Sequence, residues 1–168
     1  MKSKRKQYNS GFTLIEALFA AMLLGLVVAA LAAASGAFTM ANGYGLDLST
    51  AEFLIEEVRE YTATLPVIDP QDADSVFGAE TDETSLLLYD DIDDFNGASM
   101  SPPIDLSGAT MSEFSAFAQE ITVENVAPNA FGGAAQAAHS TDFVRVTVTV
   151  TKNGEPINST SWIRARLN

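Results

Sequence analysis

The sequence predicts an α+β fold: a long N-terminal helix, membrane-spanning in its first half and amphipathic in its second, packed on a three- or four-stranded antiparallel sheet. Three observations carry this expectation. Residues 17–38 run without a charge or a proline. Leu46, Leu48, Phe53, Leu54, Val58, Tyr61 and Leu65 then recur at helical spacing up to Pro66. Near the C-terminus Val144, Val146, Val148 and Val150 alternate with Arg145, Thr147, Thr149 and Thr151, ahead of the hairpin signal Asn153-Gly154.

Taken in order, the chain opens on a basic stretch, Lys2, Lys4, Arg5 and Lys6, that meets the apolar run at Gly11. At about 1.5 Å of rise per residue, residues 17–38 are long enough to cross a hydrocarbon core of roughly 30 Å. They lack a polar stripe, as a membrane helix does. The basic residues place the N-terminus in the cytoplasm and the acidic remainder on the exported side. An ordinary secretory signal, cleaved within Ala32-Ala33-Ala34-Ser35-Gly36-Ala37, is the competing reading. The length of the apolar run and the carboxylate of Glu16 near its start oppose it. A carboxylate costs about 2.5–3.5 kcal/mol at the middle of a membrane helix, less near an interface, and a simple signal peptide gains nothing from it.

The run Gly11-Phe12-Thr13-Leu14-Ile15-Glu16 behind a short basic leader resembles the cleavage and methylation signature of type IV prepilins and type II secretion pseudopilins. The resemblance implies a pilin-like fold. It also implies a prepilin peptidase that cuts on the cytoplasmic side between Gly11 and Phe12, N-methylation of Phe12, and Glu16 as the fifth mature residue. The physics of Glu16 agrees. Cleavage frees an α-amino group at Phe12, and a buried carboxylate is tolerable beside a cation. In helices packed side by side with a vertical stagger, the amine of one subunit meets the glutamate of the next. Gly25 and the alanine-rich residues 29–37 allow close helix approach. Many relatives carry a proline midway along this segment. This chain has none, so any local melting falls to Gly25 or Gly36.

The expected domains are a leader, 1–11; a transmembrane and assembly helix, 12–39; and an exported globular domain, 40–168. The reading favours one helix from about Phe12 to Leu65, kinked near 43–47, where Ser49-Thr50-Ala51-Glu52 fits a capping box. Residues 66–84 read as a loop, and Ser85-Leu86-Leu87-Leu88-Tyr89 as a short strand. Phe117, Ile121 and Val123 share one side of a further strand that Gln119 interrupts. Residues 127–140 are a second loop, and the chain returns through Ile157 to Trp162 and Leu167 as the last strand. Helix 46–65 is the only element long enough to cover the apolar face of such a sheet.

The formal net charge is −13, and since four of the nine basic residues precede Gly11, five bases face 22 acids beyond it. That excess excludes nucleic acid as a partner of the exported part. There is no cysteine, hence no disulfide and no thiolate metal site. Between Asp69 and Asp94 lie ten acids and no base. Such a density stays solvated or collects a hard cation. Asp91, Asp93 and Asn96 before Gly97 are the candidate calcium ligands, although the spacing fails the EF-hand pattern, with Phe95 at a ligand position and the glycine one residue late. The competing reading is a solvated turn whose Asp and Asn side chains cap backbone amides. The runs Asp90-Asp91-Ile92-Asp93-Asp94-Phe95-Asn96-Gly97 and Phe143 to Thr151 with Asn153 to Ile157 also resemble the MshD-like minor pilin group.

No catalytic constellation is legible. His139 reads as a surface histidine, carboxylate pairs such as Asp90 and Asp91 are inevitable in so acidic a loop, and Arg164 and Arg166 read as surface charge or partners for acids. The expectation is a non-enzymatic structural subunit of a type IV pilus or type II secretion filament, without a resident cofactor. Its partners are prepilin peptidase, other pilins or pseudopilins and inner-membrane lipid. The alternative is a membrane-tethered module that binds calcium or a glycan at a filament tip.

Overall fold

The computed structural model describes residues 11–69 and 76–166. The basic residues Lys2, Lys4, Arg5 and Lys6 lie outside the described residues, as do 70–75 of the expected first loop. Helix α1 spans Leu14–Tyr61, followed by a 3₁₀ turn at Thr62–Thr64. Strands β1 (Ser99–Met100), β2 (Phe117–Asn125), β3 (Phe143–Lys152) and β4 (Glu155–Ala165) pair antiparallel in the order β1-β2-β3-β4. This is the α+β, pilin-like architecture: a long, N-terminally apolar helix on a four-stranded antiparallel sheet. The chain divides into two compact units, Met1–Gly45 and Leu46–Asn168.

In the first unit every described residue is solvent-exposed, the large apolar side chains of Leu18, Phe19, Leu23, Val27 and Leu31 among them. Aliphatic surface of this extent is not stable in water. The segment is long and apolar enough to cross a membrane.

The second unit has its own core. Ala51, Leu54, Ile55 and Val58 are the buried residues of α1, one stripe at i, i+3, i+4 and i+7. They meet Phe117, Ile121 and Val123 of β2 and Val144, Val146, Val148 and Val150 of β3 in one cluster. The helix therefore covers the sheet as expected, but the stripe is rotated. Leu46 is 71% exposed, and Phe53, at 43%, packs beside the Phe114 ring. Ala51 and Ile55 take the inward places because side chains on one face recur every three to four residues; half-buried Leu48 extends that stripe and Leu46 falls off it.

Three local expectations are corrected. The helix runs uninterrupted through 43–52, so Ser49 is no cap; in its last exposed turn before the core, Thr50 Oγ1 donates back to the Leu46 carbonyl at 2.9 Å. Residues Leu86–Leu88 form a 3₁₀ turn instead of a strand, closed by the Leu88 N–H on the Ser85 carbonyl at 2.8 Å. Leu86 packs on the core while Leu87 and Leu88 stay exposed, a division that strand alternation would not produce. Gln119 does not interrupt β2. It is fully buried on the inward face, where its Oε1 accepts the Ile104 N–H at 2.9 Å and its Nε2 donates to the Leu54 and Ile104 carbonyls at 2.8 and 3.3 Å. An amide that satisfies three backbone groups fits among apolar neighbours.

The β3–β4 hairpin turns at Asn153-Gly154, both with positive φ (52° and 84°), the conformation that selects Asn-Gly in a two-residue turn. A register shift follows at Val150/Thr151, opposite Pro156 and Asn158.

Candidate functional site

Gly11, Phe12 and Thr13 precede α1 in non-helical, exposed backbone. Thr13 starts the helix. Its carbonyl accepts the Glu16 and Ala17 N–H groups, both at 3.1 Å, and its hydroxyl lies 3.4 Å from the Glu16 nitrogen. Thr13-Leu14-Ile15-Glu16 thus has the spacing of a capping box, with the threonine half made and the glutamate in the first turn, where the helix dipole favours an acid. Reading Glu16 only as a membrane charge missed this local role, although Thr-x-x-Glu before an apolar run is its sequence signature.

The acidic loop is not a solvated turn. Ile92 and Phe95 insert into the core, Phe95 edge-on to Tyr61 and Tyr89, and they carry Asp91, Asp93 and Asp94 inside with them. The three aspartates are each at most 2% exposed. Their carboxylates then do the capping expected of them. Asp91 Oδ1 accepts the N–H groups of Asp93 and Asp94 at 2.7 and 3.2 Å, and Asp94 Oδ2 those of Asp90 and Asp91 at 3.0 and 3.1 Å. The Ile92 N–H bonds the Pro66 carbonyl at 3.0 Å, tying the loop to the chain just past the helix.

Asp91, Asp93 and Asn96 each hold backbone amides. Asp93 turns to the Gly78 N–H at 3.2 Å and to His139 Nε2 at 3.3 Å, while Asn96 Oδ1 accepts the Val123 N–H at 3.1 Å. The carboxylates that do converge are Glu80, Glu83 and Asp94 in one group and Asp90, Asp91 and Asp94 in another. Burial, with the charges of Asp93 and Asp94, pushes the Asp91 carboxyl up to about 8. Burial also pushes Asp94 up to about 7, with Glu83 adding to the rise. Burial works to raise Glu83 too, but hydrogen bonds from the Glu80 backbone and from the Glu80 and Asp94 carboxyls hold it below its ordinary value.

His139 is no free surface histidine. Besides Asp93 it meets the Phe77 ring at 5.4 Å, and its backbone N–H donates to Asn125 Oδ1 at 2.6 Å. Arg164 is also reassigned. Trp162 and Arg164 stand opposite the inward Val146 and Val144, so Arg164 points to the helix and donates to the carbonyls of Thr62 and Leu65 at 2.8 and 3.0 Å. A guanidinium on the last carbonyls of a helix complements its dipole. Arg59 lies 4.8 Å over the Trp162 ring and pairs with Glu56. Arg145 bonds Glu124 at 2.6 Å and reaches the Phe131 and Gly133 carbonyls, pinning the loop after β2.

Residues 6–32 match the family model of the prokaryotic N-terminal methylation motif. Motif and fold support the type IV pilin and pseudopilin family. No curated protein and no solved structure matches the chain. The motif and the pilin-like fold support a structural protein, and the apolar helix found among the described residues is of the kind that anchors pilins in a membrane.

Proposed function

We propose that this chain is a minor pilin or pseudopilin, a structural subunit of a type IV pilus or type II secretion-type filament. The methylation motif over residues 6–32 carries the reading. Prepilin peptidase cuts between Gly11 and Phe12, and Phe12 becomes the methylated first residue. The exposed, non-helical backbone of Gly11 and Phe12 supports this, since a peptidase needs an extended strand of substrate and a bond outside the helix. The leader stays cytoplasmic, residues 12–39 anchor the subunit in the inner membrane and assemble it with sister subunits, and residues 40–168 form the exported domain. Glu16 joins neighbours by pairing with a freed N-terminal amine. The acidic loop and the C-terminal hairpin support placing the chain near the MshD-like minor pilins.

The experiment is expression of Gly11→Ala beside the wild type in cells with the peptidase, followed by N-terminal sequencing and mass measurement. The wild type begins at a methylated Phe12, and Gly11→Ala keeps its leader and stays out of filaments. A Gly11→Ala protein trimmed at Phe12 and incorporated normally refutes the processing step.

A further inference from the structure

Glu80, Glu83 and Asp94 each bring a carboxylate oxygen to a common point, all within 4.8 Å of one another. Two oxygens on one calcium ion, each at about 2.4 Å, lie at most about 4.8 Å apart, whereas a magnesium ion at about 2.0–2.1 Å demands closer approach. The three oxygens are thus close enough together to share one such ion. They come from segments more than ten residues apart, so no contiguous ligand-loop pattern marks them in the sequence.

A second observation comes from hydrogen bonding. Asp94 is 2% exposed, and its Oδ2 is occupied by the Asp90 and Asp91 amides, yet its Oδ1 is buried without any hydrogen-bond partner. One oxygen of this carboxyl stands with those of Glu80 and Glu83, acceptors that offer it no proton when ionised. Buried carboxylate oxygens are rarely left unsatisfied. Among the described residues, Arg59, Arg145, Lys152 and Arg164 are engaged elsewhere, and His139 sits on Asp93. Glu80 and Glu83 are half-buried and open the site to solvent, which gives an ion its path.

We propose that Glu80, Glu83 and Asp94 bind a hard divalent cation of the calcium class, with water completing its shell. The ion clamps the turn at Glu80–Glu83, closed by the Glu83 N–H on the Glu80 carbonyl at 3.1 Å, onto the Asp93–Phe95 turn and so onto the core. This site is independent of the filament reading, and neither falls with the other.

The test is thermal unfolding of the full chain in detergent at pH 7.5, followed by Trp162 fluorescence, in chelator and across a calcium chloride series. The wild-type midpoint rises saturably by several degrees, with half-saturation at about 0.1–1 mM as in extracellular calcium modules, and magnesium chloride gives a smaller shift. In Glu83→Gln, with midpoints referred to its own value in chelator, the half-saturation moves up at least about tenfold. Asp94→Asn removes the shift; should it fail to fold, Glu83→Gln alone decides. A wild-type midpoint unmoved by calcium overturns the proposal and leaves a proton shared between Asp94 and Glu83 in the ion's place. An equal shift in Glu83→Gln also overturns it, by moving the ion elsewhere.

Discussion

The Gln119 side chain of β2 donates to the Leu54 carbonyl of α1 at 2.8 Å, a fully buried polar contact between helix and sheet. The same amide also holds the Ile104 N–H and carbonyl. Gln119→Leu keeps the volume and strands the Ile104 amide away from water. We expect it to lower unfolding free energy by about 1–3 kcal/mol, the cost of an unsatisfied buried group, measured by urea denaturation of the detergent-solubilised chain. An unchanged midpoint would mean that the amide finds another partner.

Arg164 holds the carbonyls that end the helix region, at Thr62 and Leu65. Arg164→Met retains the stem beside Trp162 and removes both donors. The expected loss is about 1–2 kcal/mol, and Arg164→Lys recovers only part of it because an ammonium lacks the two-pronged guanidinium geometry. Hydrogen exchange at residues 58–65 reads the effect locally, with faster exchange in Met than in Lys and in Lys than in the wild type.

Glu16 sits in the first turn after Thr13, and its proposed role as a joining charge is separable from that place. Glu16→Gln keeps the capping-box geometry and removes the charge, whereas Glu16→Ala removes both. If the charge joins subunits, both variants insert into membrane normally and both are lost from filaments, seen by fractionation and by pull-down with sister subunits. Normal incorporation of Glu16→Gln alone would assign Glu16 to the cap.

The Asp91 carboxyl faces Asp93 and Asp94 within its own turn, with Glu83 beyond Asp94 and His139 on the far side of Asp93. Its value rises from 3.8 to about 8 on folding. The folded protein therefore holds a proton that the unfolded chain releases above about pH 4, and stability falls as pH rises from there to about 8. Asp94, raised to about 7, acts in the same direction. In chelator, the melting midpoint should drop steadily across this window. Asp91→Asn, which can still accept the Asp93 and Asp94 amides, should flatten the slope. A midpoint that climbs with pH would mean that the loop is ionised and solvated.

The helix, the β3–β4 hairpin and the position of the sheet cover were legible because each rests on a periodicity or a turn residue within a short window. Val144 to Val150 alternate without exception, and Asn153-Gly154 selects its turn by backbone conformation alone. The strand expected at Ser85–Tyr89 failed because three consecutive leucines carry no period, and only packing decides which one turns inward. Gln119 looked like a break in its strand because its hydrogen-bond partners lie 65 and 15 residues away.

By itself, the sequence determined the apolar helix, its motif from Gly11 to Glu16, the acidic excess and the alternating strands, since each depends on neighbours in the chain. Only the tertiary structure decided that Asp91, Asp93 and Asp94 are buried, that His139 faces Asp93, and that Arg164 ends the helix instead of decorating the surface. The physical reason is one of range. A carboxylate's burial follows from where Ile92 and Phe95 must go, and that is set by a core assembled from α1, β2 and β3, far away along the chain.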